Sequence, residues 1–278
     1  MPSGSGPCRF GKYSEVLRHF MKIEGLEKIP VVGPSSETDY IDIPLPGGLK
    51  SSATVKMQQI LFKGINAADL LEDVVRRFRP YAQDKPAVDA MKAERLEELG
   101  KLVTAGADVK KLQEWGRETV SMFKAIKLRH HERFPLILYI GEIYMRQHDP
   151  YTDFVIHRLE DNGLEVVRDP ITDWLFYVNK MNLRNARRDM GLGFKGRDFG
   201  RLLRSAAKAG KSVLKGKYMG HVADKLAEPF HEVLEGRHVL PHPMEIIETL
   251  EAAHETHGNI EGERSEEHTS ELQSHHPI

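Results

Sequence analysis

FPLILYIG (134–141) and LEVVRDP (164–170) decide the fold of this 278-residue chain. The first is a continuous apolar run of strand length, and the second reads as the next strand. Between them, GEIYMRQHDPYTDFVIHRLEDNG (141–163) reads as a loop and then a helix. Phe154, Val155 and Leu159 share one face of that helix, and Gly163 ends it. ITDWLFYV (171–178) then opens another helix. Strand, crossover helix and parallel strand make the right-handed βαβ unit of α/β folds. Sheets of this kind take ligands at the carboxyl ends of their strands. The loop Gly141–Pro150 therefore brings Glu142, Tyr144, Arg146 and His148 to that edge. A Glu–Arg pair at a strand end serves structure as readily as it serves function.

Outward from this unit the chain turns helical. Upstream, Ile60, Leu61, Ile65, Leu70, Leu71, Val74, Val75 and Phe78 form an amphipathic series that ends at Pro80. Met91–Leu102 and Val109–Leu128 read as two more helices, separated by the turn TAGAD (104–108) with Asp108 as a cap. The Met and Leu stripes of this block are core positions, and it carries no catalytic signature. Downstream, residues 180–217 hold twelve Lys or Arg against Asp189 and Asp198. Phe199, Leu202, Leu203, Ala206, Ala207, Val213 and Leu214 fall at helical spacing, which predicts a basic amphipathic helix. Such a helix suits CoA phosphates, a partner's acidic face or a membrane surface, and equally the solvated face of an ordinary helix.

Nearer the amino terminus, residues 14–25 place Val16, Leu17, Phe20, Met21 and Ile23 at helical spacing, with Ser14 and Gly25 as end signals. IPVVGPSS (29–36) reads as a short buried strand and a loop. DYIDIPLPGG (39–48) alternates, but Pro44 and Pro46 restrict it to an edge or a loop. The expected class is α/β, with Rossmann-like parallel βαβ units and large helical insertions. The expected organisation is a partial α/β lobe over 1–50, a helical insertion over 51–130, the βαβ unit over 131–180 and a basic helical region over 181–263. RSEEHTSELQS (264–274) matches the translation of a sequencing-library adapter. Residues 264–278 are therefore expected to be a non-native tail that packs on nothing, with the coding part a fragment ending near Glu263.

Composition is that of a globular chain, 40% hydrophobic and 29% charged, with a net charge of −1 at pH 7. No global field draws it to nucleic acid, and no nucleic-acid partner is expected. No apolar run approaches the ~20 residues that span a bilayer, so no membrane partner is expected either. One cysteine rules out an intramolecular disulfide framework, which makes a cytoplasmic, reducing compartment the default.

That cysteine, Cys8, lies in GPCRFGKY (6–13). Pro7 fixes its own φ, Gly6 permits a tight turn, and Arg9 favours thiolate over thiol. The combination suits a loop cysteine held against an iron–sulfur cluster; a lone thiol packed in the core or left on the surface is the plainer alternative. The histidine pairs are weak metal candidates: HETH (254–257) falls one residue short of the zinc-binding H-E-x-x-H, and Pro241 and Pro243 break helical geometry around His242. GLGFKG (191–196) reads as a glycine-rich loop inside a helical region, not after a strand, and no phosphate-binding loop is present.

GPCRFGKY together with IGEIYMRQHDPYTDFVIHRLEDNGLEVV (140–167) resembles the 2-hydroxyacyl-CoA dehydratase superfamily. More specifically, it is similar to the dehydratase-like part of large acyl-CoA dehydratase activase proteins, also labelled CoA-substrate-specific activase-related. The likeness spans most of residues 1–263. It departs at Lys12, where the pattern usually has Gln, and at Ala82 in RPYAQ (79–83), where an acidic residue is expected. The resemblance implies a 4Fe-4S cluster with Cys8 as one ligand and Gly6 and Arg9 shaping its surroundings, the other ligands lying outside this chain. It also implies an acyl-CoA substrate and an activator ATPase domain or subunit. The implied chemistry is ATP-driven one-electron transfer that forms a ketyl radical and expels a hydroxyl. A fragment of such a protein would be inactive alone. A non-catalytic scaffold or regulatory segment docking to such an enzyme is the alternative.

Overall fold

The computed structural model describes residues 13–31, 52–130, 132–141 and 146–234. The chain divides into two units, 1–58 with 251–278, and 59–250.

In the first unit, helix α1 spans Tyr13–Ile23, close to the expected 14–25. A turn follows, in which Leu26 N–H donates to the Met21 carbonyl at 2.7 Å. Residues 29–31 carry no strand. Ile29 N–H is committed to the Leu26 carbonyl, and the Val31 carbonyl accepts from Arg18, so local bonds take the groups a ladder would need. The remainder of the expected 29–36 strand, the 39–48 segment and the 264–278 tail lie outside the described residues.

The second unit is built on three helices. α2 (Ser52–Phe78), which belongs to this unit from Gln59 onward, gives way to a 3₁₀ turn over Arg79–Tyr81, where Pro80 removes the donor that would continue it. α3 (Lys85–Thr104) starts on Asp84, whose side chain accepts from Ala87 N–H. α4 (Val109–Lys124) starts on Asp108, whose side chain accepts from Lys111 N–H as the sequence predicts. Leu71, Val74, Leu112, Trp115 and Phe123 are buried where the three helices meet. Each such side chain contributes about 1.5–3 kcal/mol by leaving water. The base of a later helix closes the same core with Met219, Val222, Leu226 and Phe230.

The βαβ unit is present. β1 (Leu136–Tyr139) pairs in parallel with β2 (Glu165–Arg168), in the register Leu136↔Glu165 to Tyr139↔Arg168. The crossover contains a 3₁₀ turn (Asp149–Thr152) and helix α5 (Val155–Asp161). Phe154 precedes that helix in a left-handed conformation and is exposed, so it does not join the apolar face expected of it. Gly163, at φ +77°, turns the chain into β2 as its position predicts. Among the described residues the sheet has these two strands only. The unit is mixed α/β and mostly helical.

α6 (Ile171–Lys195) and α7 (Phe199–Ala227) form an antiparallel hairpin. α6 runs without a break through residue 180, and Gly191 to Lys195 are helical rather than loop. The basic stretch 180–217 is thus two helices. They are reversed by Gly196, by Arg197 at φ +53°, and by Asp198, whose side chain caps α7 at Arg201 N–H. A short 3₁₀ turn (Glu228–Phe230) and a last helical turn, α8 (His231–Leu234), return the chain to the core.

Candidate functional site

The carboxyl edge of the two strands collects charge from three elements. Arg168 ends β2 opposite Tyr139 of β1, and Asp169 N–H extends the ladder to the Tyr139 carbonyl at 3.2 Å. Arg146, returning from the loop after β1, is buried. Its guanidinium pairs with Asp169 and also donates to the Gly141 carbonyl at 3.1 Å. α2 lies against this edge through two carboxylates. Asp69 accepts from Thr172 N–H at 2.8 Å and from Thr172 Oγ1 at 2.6 Å. It thereby satisfies the first turn of α6, whose own N-cap residue, Pro170, makes no side-chain cap bond. Glu72 lies 3.8 Å from Arg168, 3.3 Å from Arg76 and 2.5 Å from Lys92.

Asp173, in the first turn of α6, is the chemically distinctive member. Burial, and then the negative charges of Asp169, Asp69 and Asp73, push its carboxyl from 3.8 up to about 7, with Arg146 pulling the other way. Burial also raises Asp69 against its two Thr172 bonds, and raises Asp169 against Arg146. Burial acts upward on Glu72 too, but Arg76, Lys92 and Arg168 together hold it below its usual value. At neutral pH this edge therefore offers a carboxyl that both gives and takes a proton, next to a guanidinium fixed by an ion pair.

A second network lies beneath the edge. Glu160 of α5 is buried between Arg79, at 2.7 Å, and Arg76, at 3.7 Å. Arg79 also binds Asp89 of α3 at 2.8 Å. Tyr81 donates to Glu165, accepts from Phe134 N–H at 3.0 Å, and stacks on the Phe134 ring at 4.7 Å. These bonds clamp the crossover and the first residue of β2 to α2 and its 3₁₀ turn. Their role is positional.

Of the residues singled out from sequence, Cys8, Gly6, Arg9, Glu142 and Tyr144 lie outside the described residues. Arg146 is at the expected edge and pairs with Asp169. His148 is exposed and turned to a local task, its Nδ1 accepting from Tyr151 N–H at 3.2 Å. Among the described residues no group of three or more His, Cys, Asp or Glu is arranged to hold a metal ion. Asp69, Asp169 and Asp173 were not legible as a group. Asp69 and Asp73 stand four apart on a helix whose neighbouring Leu70, Leu71, Val74 and Val75 are core, and that interruption is the one signal the sequence offered. The chain matches no family model, no curated protein and no solved structure.

Proposed function

We propose that this chain is part of an iron–sulfur protein of the acyl-CoA dehydratase/activase type, whose ATP-driven one-electron chemistry removes a hydroxyl from a 2-hydroxyacyl-CoA. The observation that carries the reading is the segment 140–167. Its signature residues Arg146 and Glu160 are both buried and ion-paired, to Asp169 and to Arg79. On this reading the βαβ unit belongs to a Rossmann-like lobe whose carboxyl edge faces the acyl-CoA. An activator ATPase is the partner that would supply the electron.

A four-iron cluster needs about four thiolate-type ligands. The chain has one cysteine, Cys8, and the described residues hold no metal-binding group. The residues present do not fit a complete cluster. Cys8 can supply one ligand, with Gly6 and Arg9 beside it. The chain's own contribution at the strand edge is proton chemistry. Departure of a hydroxyl requires a proton on the leaving oxygen, and the Asp173 carboxyl, pushed up to about 7, is protonated in part at neutral pH. Arg146 favours the carboxylate that remains.

Anaerobic reconstitution of the 278-residue chain with iron and sulfide tests the cluster reading. Iron and sulfide analysis with visible absorbance should give well under about four irons per chain, and Cys8→Ala should lose what is bound. Unchanged iron in Cys8→Ala removes Cys8 from the site and leaves the resemblance as a statement about fold. The lone thiol also favours a second reading, a non-catalytic scaffold or regulatory segment that docks to such an enzyme. A wild-type chain that binds no iron selects it.

A further inference from the structure

The α6–α7 hairpin carries a stripe of exposed apolar side chains and a row of cations. The two helices meet through small side chains. Ala186, Gly193 and Ser205 are buried along the seam, and a Cβ added at Gly193 would stand 3.0 Å from Leu202 N. The large apolar residues point elsewhere. Phe194 and Phe199, on either side of the reversal, are 77% and 79% exposed, and Leu203 and Leu214 are 74% and 71% exposed. Phe199, Leu203 and Leu214 stand four and eleven residues apart, so they follow one side of α7. Arg204, Lys208, Lys211 and Lys215 recur at spacings of four, three and four, so they form a second row along the same helix. From Phe199 to Ala223 there is no Asp or Glu. Burial, and then the charge of Lys211, push the Lys215 ammonium down.

We propose that the exposed side of α7, with Phe194 across the reversal, binds the anionic surface of a lipid bilayer, Phe194, Phe199, Leu203 and Leu214 entering the headgroup–acyl boundary and the cations flanking the stripe reaching the lipid phosphates. Aromatic and aliphatic side chains on one side with Lys and Arg beside them is the pattern of a helix lying in an interface. A second copy of the chain is a poor occupant, because the same face meeting itself would set the two cation rows together with Asp189, already paired with Arg201, as the acidic residue beside each. A nucleic acid would satisfy the cation row but leave Leu203 and Leu214 without an apolar counterpart. A bilayer takes both features without requiring a matched shape. Among the described residues no helix is long and apolar enough to cross a membrane, so the contact is superficial. The expectation of no membrane partner rested on the lack of a spanning run, which says nothing about surface binding.

The test is co-sedimentation of the full chain with phosphatidylcholine vesicles, with and without about one-third phosphatidylserine, at roughly 0.1 M and 0.5 M salt. Binding is expected to the anionic vesicles alone, and to weaken at the higher salt. Phe194→Ser/Phe199→Ser/Leu203→Ser should weaken it at least about tenfold, and Lys208→Glu/Lys211→Glu should abolish it at unchanged circular dichroism. In Phe194→Trp, the indole emission should shift to the blue on adding anionic vesicles. Equal binding to both vesicle types, full binding by the triple serine variant, or no binding to either overturns the proposal. So does capture by duplex DNA or polyglutamate in the absence of vesicle binding.

Discussion

Replacing Glu160 is the sharpest test of how the crossover helix is fixed. Its side chain has no solvent exposure, and it faces Arg79, 8% exposed, at 2.7 Å and Arg76, 3% exposed, at 3.7 Å. Removing one partner of a buried ion pair costs about 3–5 kcal/mol, because the charge left behind stays desolvated. Here both arginines keep a second carboxylate, Arg79 with Asp89 and Arg76 with Glu72. The loss for Glu160→Ala should therefore fall near the lower end, about 3 kcal/mol. Glu160→Gln keeps the shape and one acceptor for Arg79 but turns an amide toward Arg76, and should cost about 2 kcal/mol. Urea unfolding at pH 8, followed by far-ultraviolet circular dichroism, reads the difference. With a slope of about 2 kcal/mol per molar urea, the alanine midpoint should fall by about 1.5 M. A shift under about 0.3 M at unchanged slope would mean that α5 is not held by this carboxylate. Arg79→Lys alone should also destabilise, since an ammonium cannot bridge Glu160 and Asp89 as the fork does.

Two further expectations follow from local geometry. A Cβ at Gly116 would lie 2.8 Å from Phe230 Cε2 and 3.3 Å from Pro229 Cβ, so Gly116→Ala should destabilise by about 1–3 kcal/mol and lower Tm by several degrees; an unchanged Tm would mean that the turn at 228–230 is not seated on α4. Asp173 has a folded-state value of about 7 against 3.8, so the folded chain binds the extra proton between those values and stability declines as pH rises through that window. Asp173→Asn removes the charged form. It should leave stability unchanged below pH ~4 and raise it at pH 8 by about 1–2 kcal/mol, a figure reduced from the full linkage value because the residue is partly exposed. A stabilisation equal at both pH values would place the effect in side-chain fit rather than in titration.

Where neighbours along the chain decide conformation, this sequence is readable. FPLILYIG and LEVVRDP read as strands from their length and their apolar β-formers, and they pair in parallel with Gly163 turning the chain into the second; β2 is largely buried, whereas Leu136 and Leu138 of β1 stay exposed. Asp108 caps α4 and Pro80 ends α2 because each acts on backbone groups within a few residues. The reversal at 196–198 was hidden, since the helical spacing continues through it and Arg197 must take a left-handed conformation that its side chain does not announce. The charged site was hidden for a different reason. Arg79 finds Glu160 at a separation of 81 residues, and Asp69 finds Thr172 at 103. A carboxylate's partner, its burial and hence its proton affinity are properties of the assembled surroundings. The sequence determined that acidic and basic residues would stand among the leucines of α2, and the tertiary structure alone decided that burial and three neighbouring aspartates would push the Asp173 carboxyl up to about 7.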